Sequence, residues 1–152
     1  MHDDKTTNIM SIMTPPPLET SKVGDSLDII INIMKNKNKG SVVILDESGH
    51  PTGIITERDI VRRLVFAKKD AKTTLASEIM SSPLISVNDD VYIYDVAVIM
   101  AKYGIRRLPV VKDNVLLGII TATDLIRRMY EENKKDPCLY ALTRSPFLER
   151  SM

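Results

Sequence analysis

Along the chain, apolar positions alternate between two spacings, and each spacing predicts a different element. Leu27, Ile30, Ile31 and Met34 keep helical spacing after Asp25-Ser26, and polar residues from Asn36 to Gly40 end that helix. Ser41 to Asp46 is a β-branched run and predicts a strand. The turn Glu47-Ser48-Gly49-His50-Pro51 follows, and Thr52 to Ile55 returns as a second strand. A helix is predicted from about Thr56 to Lys69, with Ile60, Val61, Leu64 and Val65 on its inner face. Leu18 to Lys22 adds a short strand ahead of these elements, after Pro15-Pro16-Pro17 enforces an extended approach. Residues Met1 to about Met10 read as a loose arm.

The same order then recurs. Leu84 to Val87 predicts a short strand, and Asp89-Asp90 opens a helix with Val91, Tyr94, Val98 and Met100 among its apolar positions. Gly104 closes that helix. Arg107 to Lys112 and Leu116 to Ile120 predict a strand pair joined at Asp113-Asn114, and a last helix runs from Thr121 to about Lys134. The recurrence is also literal. Gly53-Ile54-Ile55-Thr56-Glu57-Arg58-Asp59 returns as Gly118-Ile119-Ile120-Thr121-Ala122-Thr123-Asp124, and Ile12-Met13-Thr14 returns as Ile79-Met80-Ser81. Three short strands with helices on one side cannot cover their own apolar surface, whereas two copies together can. The expected fold class is α+β, a two-layer arrangement of two pseudo-symmetric β-α-β-β-α repeats. The expected division is an arm over 1–11, repeat 1 over 12–70, a linker over 71–78, repeat 2 over 79–134 and a tail over 135–152. The segment Asp136 to Leu142 has no counterpart in the first copy and is read as either a docking tail or a frayed terminus.

Composition narrows the function classes. The 152 residues are 43% hydrophobic, enough for a core, and the net charge of +1 supplies no field toward nucleic acid or an acidic partner. With one cysteine, Cys138, no intrachain disulfide forms. The polar start and the lack of an apolar run of ~18 residues predict a soluble, cytoplasmic protein with no membrane partner. His2 and His50 stand alone, so no metal site is expected. No Ser or Cys lies beside a plausible base, so no catalytic residues are assigned and an enzyme is not expected.

The chemistry that remains is in the two Thr-x-x-Asp pairs, Thr56/Asp59 and Thr121/Asp124, where a buried strand becomes a helix. By itself the pattern is a capping box. Three neighbours suggest more. Gly53 and Gly118 point to chain reversal or close backbone approach. A helix N-terminus suits an anion. Arg106-Arg107 enters the strand paired with the one that ends at Thr121. Hydroxyl, carboxylate and guanidinium around one cleft suit a nucleotide, with carboxylate to ribose hydroxyls and Arg to phosphate. The other Arg pairs, Arg62-Arg63 and Arg127-Arg128, are read as complements to helix dipoles.

The paired Gly-Ile-Ile-Thr-x-x-Asp, the Ile-Met-Thr/Ser openings and Gly104-Ile105-Arg106-Arg107-Leu108-Pro109-Val110-Val111 resemble a tandem pair of CBS domains (cystathionine β-synthase domains, the Bateman module), as in stand-alone prokaryotic CBS-pair proteins. The resemblance covers about Ile12 to Tyr130. It implies repeats packed through their small sheets and a non-catalytic regulatory module that binds AMP, ADP or ATP in clefts between the repeats. S-adenosylmethionine is the lesser expectation. It also implies a homodimer and an unknown regulated protein, with no nucleic acid partner expected. The roles implied fall on Thr121, Thr123 and Asp124 for ribose and phosphate, and on Arg106 and Arg107 for phosphate. Thr14 and Leu18, or Ser81 and Ile85, would line the adenine side. In the first copy Thr56, Arg58 and Asp59 are the counterparts, but Arg58 replaces Thr123, and Gly40-Ser41 replaces Arg106-Arg107. The Asp124 cleft is therefore expected to bind more tightly than the Asp59 cleft. The alternative reading is a structural dimerisation scaffold with vestigial clefts.

Overall fold

The computed structural model describes residues 7–132; the tail reading, His2 and Cys138 lie outside that range. Strand β1 (Thr20–Lys22) is followed by α1 (Leu27–Lys37), β2 (Ser41–Leu45), β3 (Pro51–Thr56) and a short α2 (Glu57–Asp59) that continues as a π-helical stretch, Ile60–Val65. Then come α3 (Ala76–Ile79), α4 (Ile93–Tyr103), β4 (Arg107–Lys112), β5 (Val115–Thr121) and α5 (Ala122–Glu132). These elements are the mixed helix and strand content of an α+β fold built from two repeats.

The described residues form two compact units, one of 17–85 and one of 7–16 with 86–132. In the first, β1 runs parallel to β2 and β2 antiparallel to β3. Leu27, Ile30 and Met34 from α1 pack with Val42, Ile44 and Ile55 from the sheet, with Leu64, and with Ala76 and Ile79 of α3. In the second, β4 and β5 pair antiparallel, and Ile93, Val96 and Met100 of α4, Leu108, Val110, Ile120 and Leu125 are buried.

The repeat in sequence and the unit in space do not coincide. The opening segment Ile79–Ser81 pairs with β3, where Ser81 and Ile54 bridge, and the equivalent Ile12–Thr14 pairs with β5, where Thr14 and Ile119 bridge. Each opening segment therefore lies in the unit that holds the body of the other repeat. The arm is not loose from Thr7 onward. Ile9 is fully buried and its N–H donates to Val91 O, while Ile93 N–H donates to Thr7 O. Likewise the stretch read as a linker carries α3, and Leu27 N–H donates to Thr74 O. Both segments complete a helix start whose first N–H groups need acceptors.

Three local expectations change. Leu84–Val87 is not a strand; it is reduced to one parallel bridge from Val87 to Val110. Helix α4 starts at Ile93 rather than at Asp89-Asp90, because the Asp89 carboxylate pairs with Lys112 at 2.8 Å and its carbonyl accepts from Asn8. Helix α1 ends within Asn36–Gly40 as expected, with Asn38 in the left-handed region; Gly104 takes the equivalent place in α4. After Asp59 the winding is π-type, with Phe66 N–H donating to Val61 O and Lys69 N–H to Leu64 O. That wider turn shifts the phase of the apolar positions. Leu64 alone is buried, Ile60 is half-buried, and Val61 and Val65 are 44% and 57% exposed.

Candidate functional site

Gly53 and Gly118 explain why each opening segment can cross its strand closely. A Cβ on Gly118 would meet Met13 Sδ at 2.5 Å and the Thr14 carbonyl oxygen at 2.8 Å; on Gly53 it would meet Met80 Sδ at 2.6 Å and the Ser81 oxygen at 3.1 Å. The close approach read from the glycines is thus real, and its cause is the crossing segment. It sets Thr14 and Ser81 beside the strands that lead into the two Thr-x-x-Asp pairs.

At the β5–α5 junction Thr121 N–H donates to Asp124 Oδ2 at 2.7 Å and Thr121 Oγ1 donates to the same oxygen at 2.8 Å. Asp124 N–H donates back to Thr121 Oγ1 at 3.2 Å. Thr56 and Asp59 repeat this arrangement at 2.9, 2.9 and 3.3 Å. Both pairs are reciprocal helix caps. The caps use Oδ2 and leave Oδ1 pointing elsewhere, and each carboxylate side chain is only 13% exposed. A partly buried anion with one oxygen outside its own cap is a strong acceptor for hydroxyl donors.

Register brings the expected basic pair to the same edge. Arg107 stands opposite Thr121 across β4 and β5, and the Arg106 carbonyl accepts the N–H of Ala122 at 2.9 Å. Directly opposed residues share a sheet face, so Arg107 and Thr121 lie on the face opposite to the buried Leu108 and Ile120. Arg106 is exposed. One edge of this unit therefore collects Thr14, Arg106, Arg107, Thr121, Thr123 and Asp124. The other unit collects Thr56, exposed Arg58, Asp59 and Ser81, with Ser41 opposite Thr56 where the first has Arg107. Ile85 and Leu18 belong to this second collection's unit, so Leu18 does not share a unit with Thr14.

Two arginines read from sequence as dipole complements have specific partners instead. Arg63 Nη1 donates to Ile79 O at 2.8 Å and Met80 O at 3.0 Å, and its Nε lies 3.8 Å from Asp59 Oδ1. Arg127 Nη1 is 4.0 Å from Asp124 Oδ1. The only signal in the sequence was their spacing of four and three residues from the aspartates. Among the described residues no group of three His, Cys, Asp or Glu side chains is placed to share a metal, and no helix is long and apolar enough to cross a membrane.

A reciprocal Thr-Asp cap closes the junction from last strand to helix in each of the two repeats. The CBS-domain family profile matches residues 9–66 and 76–131, and the chain belongs to that family, as a tandem pair. It is similar to a CBS domain-containing protein of Bacillus subtilis, 34% identical over 134 residues, covering 88% of this chain and 90% of that one. An uncharacterized protein of Methanopyrus kandleri is 43% identical over 95 residues, 62% of this chain; the chain spans 48% of it, and 34% of an uncharacterized relative from Methanocaldococcus jannaschii. Among solved structures, the CBS domain pair of protein MJ0100, in complex with 5′-methylthioadenosine and S-adenosyl-L-methionine, is 33% identical with a TM-score of 0.71 over 81% of this chain and 99% of that one. One relative, L-aspartate semialdehyde sulfurtransferase of Methanocaldococcus jannaschii, has an enzyme's name; the alignment covers 80% of this chain and 23% of that protein.

Proposed function

We propose that this CBS pair is a non-catalytic sensor that holds AMP, ADP or ATP at the Asp124 edge and passes its occupancy to a partner protein. The observation that carries the proposal is the Asp124 carboxylate, capped through Oδ2 and flanked on one edge by Thr121, Thr123, Arg106 and Arg107. Ribose hydroxyls donate to the carboxylate, and exposed Arg106 meets phosphate in a charge-assisted contact. Thr14 lies against the same strand on the adenine side. The Asp59 edge, with Ser41 in place of Arg107, binds more weakly. The protein acts as a homodimer through helices whose second members expose Val61, Val65 and Phe66, in a reducing compartment such as the cytoplasm.

S-adenosylmethionine is the second reading, favoured by the ligands of the neighbour at 33% identity. It shares the adenosine ribose, but its sulfonium gains nothing from Arg106. A structural scaffold with vestigial sites is the third.

Thermal unfolding with AMP, ADP, ATP and S-adenosylmethionine, beside an Asp124→Ala variant, separates them. A ligand at a hundred times its dissociation constant adds ~2.7 kcal/mol. In a chain of this size that raises the midpoint by roughly 5–11 °C. A shift with one adenosine compound that the variant loses supports the sensor and names its ligand. No shift with any of them leaves the scaffold reading, with the Thr-Asp pairs as helix caps.

A further inference from the structure

The segment Thr7–Thr14 is fastened at both ends to the unit that holds the Asp124 edge. At one end its pairing with β5 is a single bridge, Thr14 with Ile119. That pairing cannot extend, because Pro15, Pro16 and Pro17 have no N–H to give. The hold on Thr14 therefore depends on how the segment is anchored upstream. There Ile9 N–H donates to Val91 O at 3.3 Å, and Ile93 N–H donates to Thr7 O at 3.1 Å. One 3₁₀ turn, Ile9–Ser11, lies between the two ends, and Asn8 Oδ1 caps it by accepting the Met10 N–H at 2.8 Å. The amide nitrogen of the same side chain reaches outside the segment. Asn8 Nδ2 donates to the Asp89 carbonyl at 3.0 Å, and the Asp89 carboxylate meets Lys112 Nζ at 2.8 Å. Lys112 ends the strand that begins with Arg107. The stretch before Asp89 lies on that strand too, since Val87 N–H donates to Pro109 O at 3.0 Å and Val111 N–H donates to Val87 O at 2.8 Å.

These bonds close a ring. The segment joins β5 at Thr14, β5 joins β4, β4 joins residues 87–89, and Asp89 returns to the segment through Asn8. We infer that Asn8 is a positioning residue for the Asp124 edge. The inference rests on the adenosine reading above: the Asn8 amide fastens the segment to Asp89 and so keeps Thr14 in place on the adenine side. The buried Ile9 side chain holds the near end by an apolar contact, which has no direction of its own. The amide supplies the direction. Without it the segment gains freedom that a bound nucleoside has to remove, and that cost appears as lost affinity. The counterpart of Asn8 in the other unit is Leu75, which bridges Ser26 as Asn8 bridges Tyr92 and has no side-chain donor. The amide tie is thus a feature that the Leu75 segment does not share.

Calorimetric titration of the full chain with AMP tests this, with Asp124→Ala marking which site is read. Asn8→Ser keeps a side-chain oxygen for the cap but loses the reach to Asp89. It is expected to weaken AMP binding roughly three- to tenfold, the worth of one neutral hydrogen bond. Amide exchange at Thr14 is expected to quicken in the same variant and to slow again with AMP. Lys112→Gln acts at the other end of the tie, on a side chain 49% exposed, and carries the test if Asn8→Ser does not fold. It is expected to weaken AMP in the same direction, and the double variant to lose less than the product of the two, because both act through Asp89. Adenosine, titrated in parallel, is expected to show the same losses, which separates position from the Lys112 charge. Val96→Ala, a buried change in α4 away from the tie, is expected to lower the melting midpoint and leave the AMP affinity as it is. Unchanged affinity in both Asn8→Ser and Lys112→Gln, or an equal weakening by Val96→Ala, overturns the inference and leaves the Asp124 reading standing. No binding of AMP or adenosine by the wild type overturns the adenosine reading and this inference with it.

Discussion

Thr14 and Ile119 exchange two backbone hydrogen bonds, 2.8 and 3.0 Å long, so a residue near the start of the chain is an edge partner of the strand that leads to Asp124. Ser81 and Ile54 do the same for the strand that leads to Asp59. In each case the segment crosses over a glycine, and the two glycines are not equally tight.

Gly118→Ala is expected to destabilise the protein by roughly 1–3 kcal/mol, because the new methyl meets a backbone oxygen at 2.8 Å as well as Met13, and the backbone cannot give without breaking the Thr14 pairing. Gly53→Ala is expected to cost less, since its closest contact is the flexible Met80 side chain. Gly24→Ala, with nothing within 4 Å, is expected to stay within about 0.5 kcal/mol of wild type. Urea denaturation of the three variants gives the ranking, and equal losses at all three positions would contradict it.

Arg106→Ala separates phosphate recognition from ribose recognition. The affinity for ATP is expected to fall roughly tenfold or more, with a weaker dependence on salt, while adenosine, which has no anionic group, is unaffected. Equal losses for both ligands would place Arg106 in the structure of the edge rather than on the phosphate.

Ser21, on β1, and Asp25 form a part-buried hydroxyl–carboxylate pair. The Ser21 hydroxyl, at 2.6 Å, and then the Lys22 N–H, at 2.8 Å, hold the Asp25 carboxyl below the usual range. A carboxyl whose folded pKa is depressed supplies stability that is present above its unfolded pKa and is lost as pH falls through the folded one. Ser21→Ala is therefore expected to move Asp25 back up, as read by carboxyl-carbon NMR. The acid-side loss of stability, beginning near pH ~4, is expected to be less steep than in wild type. A variant that titrates like wild type would assign the effect to the Lys22 amide instead.

Val65→Asp is expected to leave the secondary structure intact, because Val65 is 57% exposed, and to weaken self-association at least tenfold in sedimentation equilibrium. Its neighbours Val61 and Phe66, 44% and 73% exposed, extend the same apolar surface. A wild-type monomer, or a variant dimer of unchanged affinity, would remove this face from the assembly.

The strand-to-helix junctions were legible in the sequence because they are local. Thr56 with Asp59, and Thr121 with Asp124, are three residues apart, and a capping box is closed by that spacing whatever the rest of the chain does. Arg107 was legible for a related reason: a hairpin turn at Asp113-Asn114 sets the register that puts it opposite Thr121. The inner face assigned to Ile60, Val61, Leu64 and Val65 was not legible, since a 3.6-residue period cannot anticipate a π-type turn. Arg63 was seen as one of a basic pair, but its acceptors are carbonyls sixteen and seventeen residues further on.

The internal repeat determined, by itself, that two similar units exist and which residues are equivalent in them. What it leaves undetermined is which body each opening segment joins. Ile12–Thr14 and Ile79–Ser81 are alike, as are β3 and β5, so either segment satisfies the pattern of either strand. Only the tertiary structure decided that Thr14 pairs with Ile119 and Ser81 with Ile54. The physical reason is that self-similarity makes the two pairings locally equivalent, so that backbone hydrogen bonding at the strand edges does not distinguish them. Chain connectivity and the packing of Ile9 and Ile79 into separate, fully buried places do.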